Sequence, residues 1–371
     1  MFYVCKHYVQ QKATGQSGGQ SPACPCRKSV NQPQVSSPKM SVVIPAFNAS
    51  AHIEECLDHV FASKFKEFQV ILVDDHSTDD TVAKAARYPC LILKNEINYG
   101  AAHSRNLGIE AASADLILFI DSDVLIPPDL LDRVLDFFNH HPDVSILQGC
   151  YNHKPYYQNL LSQYKHFVFS FRGSLPGGVY INYVHTACAA MRKSVFKKLR
   201  FNEDLKRRED IEFGLRCSEH GYRIYADPSL TVGHKKRYDF FSYSNYQIRA
   251  AKDLVWQQFV LRNKNFMQEF NAGKQPFYKK AWLLRPALCF LLLVDLMFLV
   301  PTKSFSLLVI LISLFILSFL LEYRFRFYLF RVAPLFVSLG AWPLYFYDGF
   351  LLGVGGTAGI LKVLFFNYSP R

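Results

Sequence analysis

The sequence predicts an α/β domain with a parallel sheet, followed by C-terminal transmembrane helices. Short apolar segments alternate with helical patterns of about ten residues from Met40 to Ile120. Two of these apolar segments end in acidic residues, at Asp74-Asp75 and at Asp121-Ser122-Asp123. Long apolar runs then dominate residues 281–371, as expected for helices that cross a bilayer.

The N-terminal half of the domain repeats a strand-helix pattern. A first strand at 41–48 contains Pro45, and a second strand begins at Phe68 and ends in the acidic loop 74–79. The remaining patterns predict helices at 51–62, 79–87 and 101–112 and strands at 90–94 and 116–120. Right-handed crossovers between parallel strands leave every strand end on one edge of the sheet. We therefore expect the two acidic segments to converge.

The carboxylates after the strand 116–120 indicate a ligand site. Five consecutive large apolar residues predict a buried strand, so Asp121 and Asp123 must face a crevice, a cation or each other. Ligands of open α/β sheets collect beyond the carboxyl ends of the strands, where a divalent cation can bridge carboxylates and phosphates. The alternative is a solvated turn with helix-capping aspartates, because Pro127-Pro128 and a helical pattern follow.

Five motifs in this order resemble the inverting GT-A glycosyltransferases of family 2. They are Val43-Ile44-Pro45-Ala46-Phe47-Asn48, Val73-Asp74-Asp75-His76-Ser77-Thr78-Asp79, Asn98-Tyr99-Gly100 with Ser104-Arg105-Asn106-Leu107-Gly108, Asp121-Ser122-Asp123, and Arg208-Glu209-Asp210. The resemblance covers about Met40 to Tyr238 and implies a GT-A domain, the Rossmann-like fold of nucleotide-diphospho-sugar transferases. A catalytically silent nucleotide-binding membrane protein is the alternative of another class, because fold does not guarantee chemistry.

The resemblance also implies roles for individual residues. The nucleotide-sugar would contact Pro45, Ala46, Asn48, Asp74, Asp75 and Asp121. Asp123 would hold Mg²⁺ or Mn²⁺, which neutralises charge that grows on the diphosphate leaving group. His234 is placed where some members supply a further metal contact, although a lone histidine is more often an ordinary polar or core residue. Arg105 either reaches a phosphate or decorates a helix.

Asp210 is the predicted catalytic base. A sugar hydroxyl is protonated at neutral pH, so a carboxylate that accepts its proton lowers the barrier to attack. Glu209 would support Asp210 or contact the acceptor, whereas the structural alternative is a pair of acids that stabilises a helix N-terminus. Ala187 to Arg192 would form the floor beneath the donor sugar or a buried packing strand.

The predicted base favours a hydroxyl acceptor. A polyprenyl phosphate is already an anion and attacks without a base, so a polyprenyl-phosphate sugar synthase is the alternative enzyme. No Gln-x-x-Arg-Trp sequence follows Asp210, which argues against a processive polysaccharide synthase. We expect the acceptor to be a membrane lipid or a lipid-linked glycan.

The C-terminal runs predict two spans and a third spanning or re-entrant segment. The runs are 286–300, extended back to Ala281 to reach the roughly 20 residues of a bilayer, then 305–321 and 332–364. Basic residues flank the first pair of spans at Lys279, Lys280, Arg285, Arg324, Arg326 and Arg331. The positive-inside rule therefore predicts an integral membrane protein with a cytoplasmic catalytic domain. The glycines Gly349, Gly353, Gly355, Gly356 and Gly359 allow close helix packing within the chain or in a homo-oligomer.

Residues 239–280 predict amphipathic helices at the membrane interface. The apolar residues Ile248, Ala251, Val255 and Phe259 recur at helical spacing beside basic residues. The net charge of +12 suits anionic lipid, and no nucleic-acid recognition motif accompanies it. Residues 1–39 are polar and predict a disordered leader, in which a zinc site of Cys5, His7, Cys24 and Cys26 has poor spacing. The nine scattered cysteines suit reduced thiols.

Overall fold

The computed structural model describes residues 37–173, 177–260 and 280–366. Of the predicted leader, only residues 37–39 are described, and the predicted zinc site lies outside the described residues. The described chain divides into two compact units. The first unit contains residues 37–148 and 183–225, and the second contains the other described residues.

Strands and helices alternate along the chain. The first half contains β1 (Met40–Ala46), α1 (Ile53–Phe61), β2 (Phe68–Asp74), α2 (Thr81–Ala85), β3 (Leu91–Lys94), α3 (Ala101–Ala111), β4 (Leu116–Ile120), β5 (Val124–Leu125) and α4 (Leu130–His140). Next come β6 (Ile146–Tyr151), α5 (Leu160–Gly173), β7 (Val179–Ile181), β8 (Cys188–Arg192), α6 (Glu209–Glu219) and β9 (Ile224–His234). The last helices are α7 (Phe240–Val260), α8 (Lys280–Thr302), α9 (Phe305–Leu321), α10 (Tyr323–Val332) and α11 (Leu335–Phe366).

The sheet of the first unit has the predicted parallel core. Strand β1 pairs in parallel with β2 on one side and β4 on the other, and β2 pairs in parallel with β3. Val43 lies opposite both Ile71 and Phe119, so the carboxyl ends of β2 and β4 flank the end of β1. Strand β8 runs antiparallel to β4 and to the first residues of β6. The predicted convergence of the two acidic segments on one sheet edge follows from this register.

Most residues of the central strands are buried, and helix α3 packs against β1 and β2. Every residue of β4 is buried, as its five apolar residues predicted. Helix α2 is shorter than the predicted 79–87, because Asp79 is engaged in the loop, where it accepts hydrogen bonds from the backbone of Ser50 and Thr81.

Gly108 sets the distance between α3 and β1. A Cβ atom at this position would lie 2.3 Å from Cγ1 of Val43, so no other residue fits without movement. Arg105 precedes Gly108 by one helical turn on the same face of α3. The close approach at Gly108 therefore fixes the height of Arg105 above the carboxyl edge of the sheet.

The second unit contains the apolar C-terminal helices. Two segments, Arg285–Thr302 and Leu335–Leu361, are long and apolar enough to cross a membrane. Helices α9 and α10 pass the same test together but are bent by 67° where they join, so the described residues contain two or three potential spans. This matches the predicted choice between two and three spans.

Glycines of α11 contact helices of the same chain. A Cβ at Gly349 would lie 2.3 Å from Sγ of Cys289 in α8, and one at Gly355 would lie 2.4 Å from the carbonyl oxygen of Ile248 in α7. Helix α7 packs along α11 through the buried residues Tyr243, Gln247 and Ala251. These glycines therefore serve packing within the chain, and the homo-oligomer stays a prediction.

Substitution of Gly108 tests the packing of α3 on β1. We expect Gly108→Val to lower the free energy of unfolding by about 1–3 kcal/mol, because the added methyl groups overlap Val43. Chemical denaturation of the purified full chain in detergent measures this. Glu110→Val is the matched control on the exposed face of α3, and Val43→Ala should restore part of the loss. Equal losses in the Gly108 and Glu110 variants would contradict the packing argument.

Candidate active site

Arg105 connects the acidic turn after β4 to the acidic residues at the start of α6. Its buried guanidinium donates from Nη1 to Oε1 of Glu209 at 2.5 Å and from Nη2 to Oδ1 of Asp121 at 3.1 Å. Burial alone would lower the pKa of Arg105, but the charges of Glu209 and Asp121 raise it above its usual value. One buried cation therefore joins the start of α6 to the end of β4.

These contacts assign positions to Arg105 and Glu209. Glu209 is buried with only 9% of its side chain exposed, and its carboxylate is held by Arg105. Arg105 is not a surface residue of α3, which removes the predicted alternative that it merely decorates a helix. Both terminal nitrogens of Arg105 are engaged by carboxylates, so the contact of Arg105 with phosphate stays a prediction.

Asp121 and Asp123 follow β4 in a tight turn. The carbonyl oxygen of Asp121 accepts a hydrogen bond from the Val124 amide at 3.0 Å, which turns the chain directly after the sheet. Burial raises the pKa of Asp121, and repulsion from Asp123 and Asp210 adds to this although Arg105 opposes it. Three carboxylates therefore share one region of negative potential.

The donor set fits a cation that arrives with phosphate. Among the described residues no group of three or more His, Cys, Asp or Glu side chains is arranged to hold a metal by itself. Magnesium-type sites commonly use one or two carboxylates and complete their coordination with substrate phosphates and water. Asp121 and Asp123, with the repulsion between them, suit that incomplete kind of site.

Asp210 occupies the first turn of α6 beside a histidine. The Nδ1 atom of His185 lies 3.4 Å from Oδ2 of Asp210, and the Ile211 amide donates to Oδ1 at 2.8 Å. Burial alone would raise the pKa of Asp210, but His185 and the charge of Arg105 outweigh it and the pKa lies below its usual value. Because its pKa is lowered, the carboxylate is ionised at neutral pH. Because its side chain is 18% exposed, it is open to a ligand.

His185 is a site residue that the sequence did not reveal. Its amide donates to Oε1 of Gln148 at 2.7 Å, which fixes the segment between β7 and β8. Gly214 brings this segment to α6, because a Cβ at Gly214 would lie 2.4 Å from the backbone nitrogen of Val184. No motif surrounds His185, and only the glycine one turn after Asp210 gives a local signal of close approach.

The loops after β1 and β2 are bonded to each other. Asn48, in a left-handed conformation with φ 47°, accepts a hydrogen bond at Oδ1 from the Thr78 amide at 2.9 Å and donates its own amide to Ser77. Burial opposes ionisation of Asp79, but hydrogen bonds from Thr81 and Ser50 lower its pKa to about 2. The predicted nucleotide loops therefore form one structure, beside which the Phe47 ring is half exposed.

Asp74 and Asp75 are both buried at the end of β2. Asp75 accepts hydrogen bonds from Asn95 at 2.7 Å and from the amides of Tyr99 and Gly100 at 2.9 and 2.8 Å. It thereby orders the N-terminus of α3, where Gly100 has φ 99°. Asp74 accepts weaker hydrogen bonds from the Ser77 amide. Of the two, Asp74 retains more acceptor capacity for a ligand.

The remaining predicted residues lie as follows. Pro45 and Ala46 end β1, and the carbonyl oxygen of Ala46 accepts the Asp75 amide at 2.8 Å. His234 ends β9 in the second unit, where its ring stacks on Tyr151 with centroids 4.4 Å apart. Its metal contact stays a prediction, as does the donor floor, whose residues from Cys188 to Arg192 form the buried strand β8.

Removal of Arg105 tests whether it neutralises Glu209. We expect Arg105→Met to lower the free energy of unfolding by about 3–5 kcal/mol, because Glu209 is left buried without its cation. Glu209→Gln in the same chain should recover part of this loss, measured by chemical denaturation of the full chain in detergent. Arg87→Met is the control, since Arg87 pairs with Glu54 while 70% exposed. Equal effects of the two arginine substitutions would contradict the assignment.

Comparisons with known proteins provide evidence on the family and the fold of the chain. Residues 41–200 match the family model described as Glycosyl transferase family 2. An uncharacterized glycosyltransferase of Haemophilus influenzae is 30% identical over 109 residues, which cover 29% of this chain and 37% of that relative. The chain thus spans well under half the length of this relative. An uncharacterized glycosyltransferase of Methanocaldococcus jannaschii is 22% identical over 258 residues, covering 66% of this chain and 87% of that relative.

A solved structure supplies the fold. The mannosyltransferase PcManGT from Pyrobaculum calidifontis, determined in complex with GDP-Man and Mn²⁺, matches with a TM-score of 0.62 at 17% identity and covers 88% of each chain. At this identity the similarity concerns the fold. The family model and this structure confirm the expected fold class and, for the matched residues, the expected family. Residues 41–200 therefore form a glycosyltransferase family 2 domain with a GT-A-like α/β fold.

Proposed function

We propose that the chain is a metal-dependent inverting glycosyltransferase that moves a sugar from a nucleotide-sugar to a hydroxyl of a membrane lipid or lipid-linked glycan. The observation that carries the proposal is the arrangement at the start of α6. There Asp210 is ionised beside His185 while Glu209 and Arg105 connect it to the acidic turn after β4. This arrangement supports the proposal that a proton acceptor lies next to a diphosphate site.

The donor would lie along the carboxyl edge of the sheet. The bonded loops at Asn48 and Thr78, with Asp74, would hold the nucleoside, and the exposed Phe47 ring offers a face for the base. PcManGT, which shares the fold, was determined with GDP-Man. That complex supports a nucleotide-sugar as the donor class, and it leaves the base and the sugar of this chain's donor to experiment.

The cation would be Mg²⁺ or Mn²⁺, held by Asp123 with Asp121 beside it. The acidic turn lacks the ligands of a complete metal site, which is why we assign the remaining ligands to the diphosphate. When bound, the cation would stabilise negative charge on the leaving diphosphate. Arg105 keeps Asp121 in place for this purpose, and the Mn²⁺ in PcManGT is consistent with the assignment.

Asp210 would act as the base for the acceptor hydroxyl. As the hydroxyl oxygen forms its bond to the anomeric carbon, the bond between that carbon and the diphosphate oxygen breaks and the proton passes to Asp210. The nucleoside diphosphate leaves from the opposite face, so the anomeric configuration inverts. His185 keeps Asp210 ionised and oriented, and Glu209 positions α6 through Arg105.

The helices of the second unit support a membrane acceptor. The described residues contain two or three segments that are long and apolar enough to cross a membrane, which supports action of the domain at a membrane. A lipid or lipid-linked acceptor reaches such an enzyme within the bilayer plane. The cytosolic supply of nucleotide-sugars and the basic flanking residues support a catalytic unit on the cytoplasmic side.

Asp210→Asn tests the base. The amide keeps the shape of the side chain but cannot accept the proton, so we expect transfer to fall by at least about 100-fold while donor affinity changes little. Mass spectrometry of lipid extracts after incubation with a panel of nucleotide-sugars measures transfer and shows whether a glycosidic bond or a phosphate ester has formed. Asp227→Asn, in β9, where Oδ1 accepts a hydrogen bond from the Ser229 amide, is the control. Near wild-type transfer by the Asp210 variant would exclude it as the base.

His185→Ala tests the positioning of the base through pH dependence. His185 holds the pKa of Asp210 below its usual value, so its loss should raise that pKa and move the acidic limb of kcat/KM to higher pH. The profile is measured between about pH 4 and pH 8. His220→Ala, at the other end of α6, should leave the limb in place. An unmoved acidic limb in the His185 variant would show that His185 does not control Asp210.

A further inference from the structure

An arginine of the second unit is buried among aromatic rings and has no hydrogen-bond acceptor in the described part of the chain. Arg326 of α10 is 4% exposed, and its Nε, Nη1 and Nη2 atoms all lack a partner among the described residues. The guanidinium lies over the rings of Trp342, Tyr345 and Phe319, with Cζ 4.0, 5.2 and 5.4 Å from the centroids. These rings attract the charge, but no oxygen among the described residues accepts a hydrogen bond from its five N–H groups.

The neighbouring carboxylates are engaged elsewhere. Arg285 donates from Nη2 to Glu322 at 2.8 Å, and its Nη1 lies 3.6 Å from Asp348. Asp348 also accepts hydrogen bonds from Tyr243 at 2.5 Å and Gln247 at 2.7 Å. Arg285 therefore has carboxylate partners, whereas Arg326 has no hydrogen-bond acceptor among the described residues. The sequence placed both arginines in the basic flanks of the spans, and the structure shows that both are buried.

Two further polar groups near the Tyr345 ring have no hydrogen-bond partner among the described residues. The Nε atom of Arg285 and the hydroxyl of Tyr345 are buried without a hydrogen-bond partner among the described residues. Arg285 lies 4.1 Å from the centroid of the Tyr345 ring, and Arg326 lies 5.2 Å from it. A group rich in anionic oxygens is the ligand that such a set of donors would bind.

The surroundings indicate that this ligand is carried by a lipid. The Trp342 ring that covers Arg326 stacks on Phe315, whose ring is 42% exposed among the apolar helices. Phe327 and Phe330, on the same helix as Arg326, are more than half exposed. Stacked aromatic rings therefore connect the site of the guanidinium to an exposed apolar surface that suits hydrocarbon chains.

We propose that Arg326, assisted by Arg285 and Tyr345, binds the phosphate of a membrane lipid. A guanidinium binds phosphate through two parallel N–H···O hydrogen bonds. Binding would draw Arg326 away from the Trp342 ring. The phosphate belongs either to a lipid-linked acceptor or to a bulk glycerophospholipid. The acceptor assignment rests on the proposed glycosyltransferase function, whereas lipid-phosphate binding itself does not.

Trp342 provides a direct readout of binding. The chain has three tryptophans, so Trp256→Phe with Trp282→Phe leaves Trp342 as the only emitter. This protein is placed in bilayer discs of a neutral galactolipid, which has no phosphate, and titrated with polyprenyl monophosphate, phosphatidylglycerol or inorganic phosphate. We expect a saturable change in Trp342 emission with lipid phosphate and none with inorganic phosphate at the same concentration.

Matched variants separate the site from general charge. Arg326→Met should weaken lipid-phosphate binding at least tenfold, Arg326→Lys should weaken it less, and Arg324→Met, at an exposed position of the same helix, should bind as the parent does. Polyprenyl monophosphate binding at least tenfold tighter than phosphatidylglycerol identifies an acceptor site, and equal binding identifies a bulk-lipid site.

Three results would overturn the proposal. These are the absence of saturation with either lipid, an equal response to inorganic phosphate, and unchanged binding by both Arg326 variants. The outcome is independent of catalysis, because the Trp342 titration reports binding in the absence of donor. Transfer that survives in Asp210→Asn would therefore exclude Asp210 as the base, and absence of transfer from every nucleotide-sugar would refute the proposed function. Either result would leave the lipid-phosphate site standing.

Discussion

The first unit depends on one buried cation. Arg105 binds Glu209 at the start of α6 and Asp121 at the end of β4, so it joins elements that lie far apart in sequence. Its position follows from Gly108, which lets α3 approach β1 closely enough for the guanidinium to reach the sheet edge. Without that cation Glu209 would be a buried, uncompensated charge, and α6 with Asp210 would lose its connection to the acidic turn. The stability of the unit and the geometry of the proposed reaction therefore share one interaction.

The two units surround their buried arginines with different groups. Arg105 has a carboxylate at each terminal nitrogen, which suits a permanent structural role. Arg326 has aromatic rings around it and no acceptor among the described residues, which suits a place for an incoming anion. At Asp121, repulsion from Asp123 and Asp210 opposes ionisation, and a bound cation would relieve that repulsion. At Arg326, the donors without an acceptor among the described residues indicate that the ligand we propose is an anion.

Much of the fold could be predicted from sequence because it depends on local patterns. Apolar runs located β1, β2 and β4, and acidic residues at their ends located the candidate site. The bond between Arg105 and Glu209 could not be predicted, because 104 residues separate them and neither residue type requires the other. His185 was missed for the same reason. The burial of Arg285 and Arg326, which the sequence placed in the basic flanks of the spans, could not be predicted because hydropathy alone does not reveal ion pairs or aromatic contacts between helices.

A structure of the full chain with a nucleoside diphosphate and Mn²⁺ tests the central claim most directly. The account predicts that a carboxylate oxygen of Asp123 bonds to Mn²⁺, that Mn²⁺ also contacts the diphosphate, and that Arg105 keeps its bonds to Glu209 and Asp121. A structure in which Asp123 contacts neither ligand, or in which Arg105 has left Glu209 for the diphosphate, would contradict it.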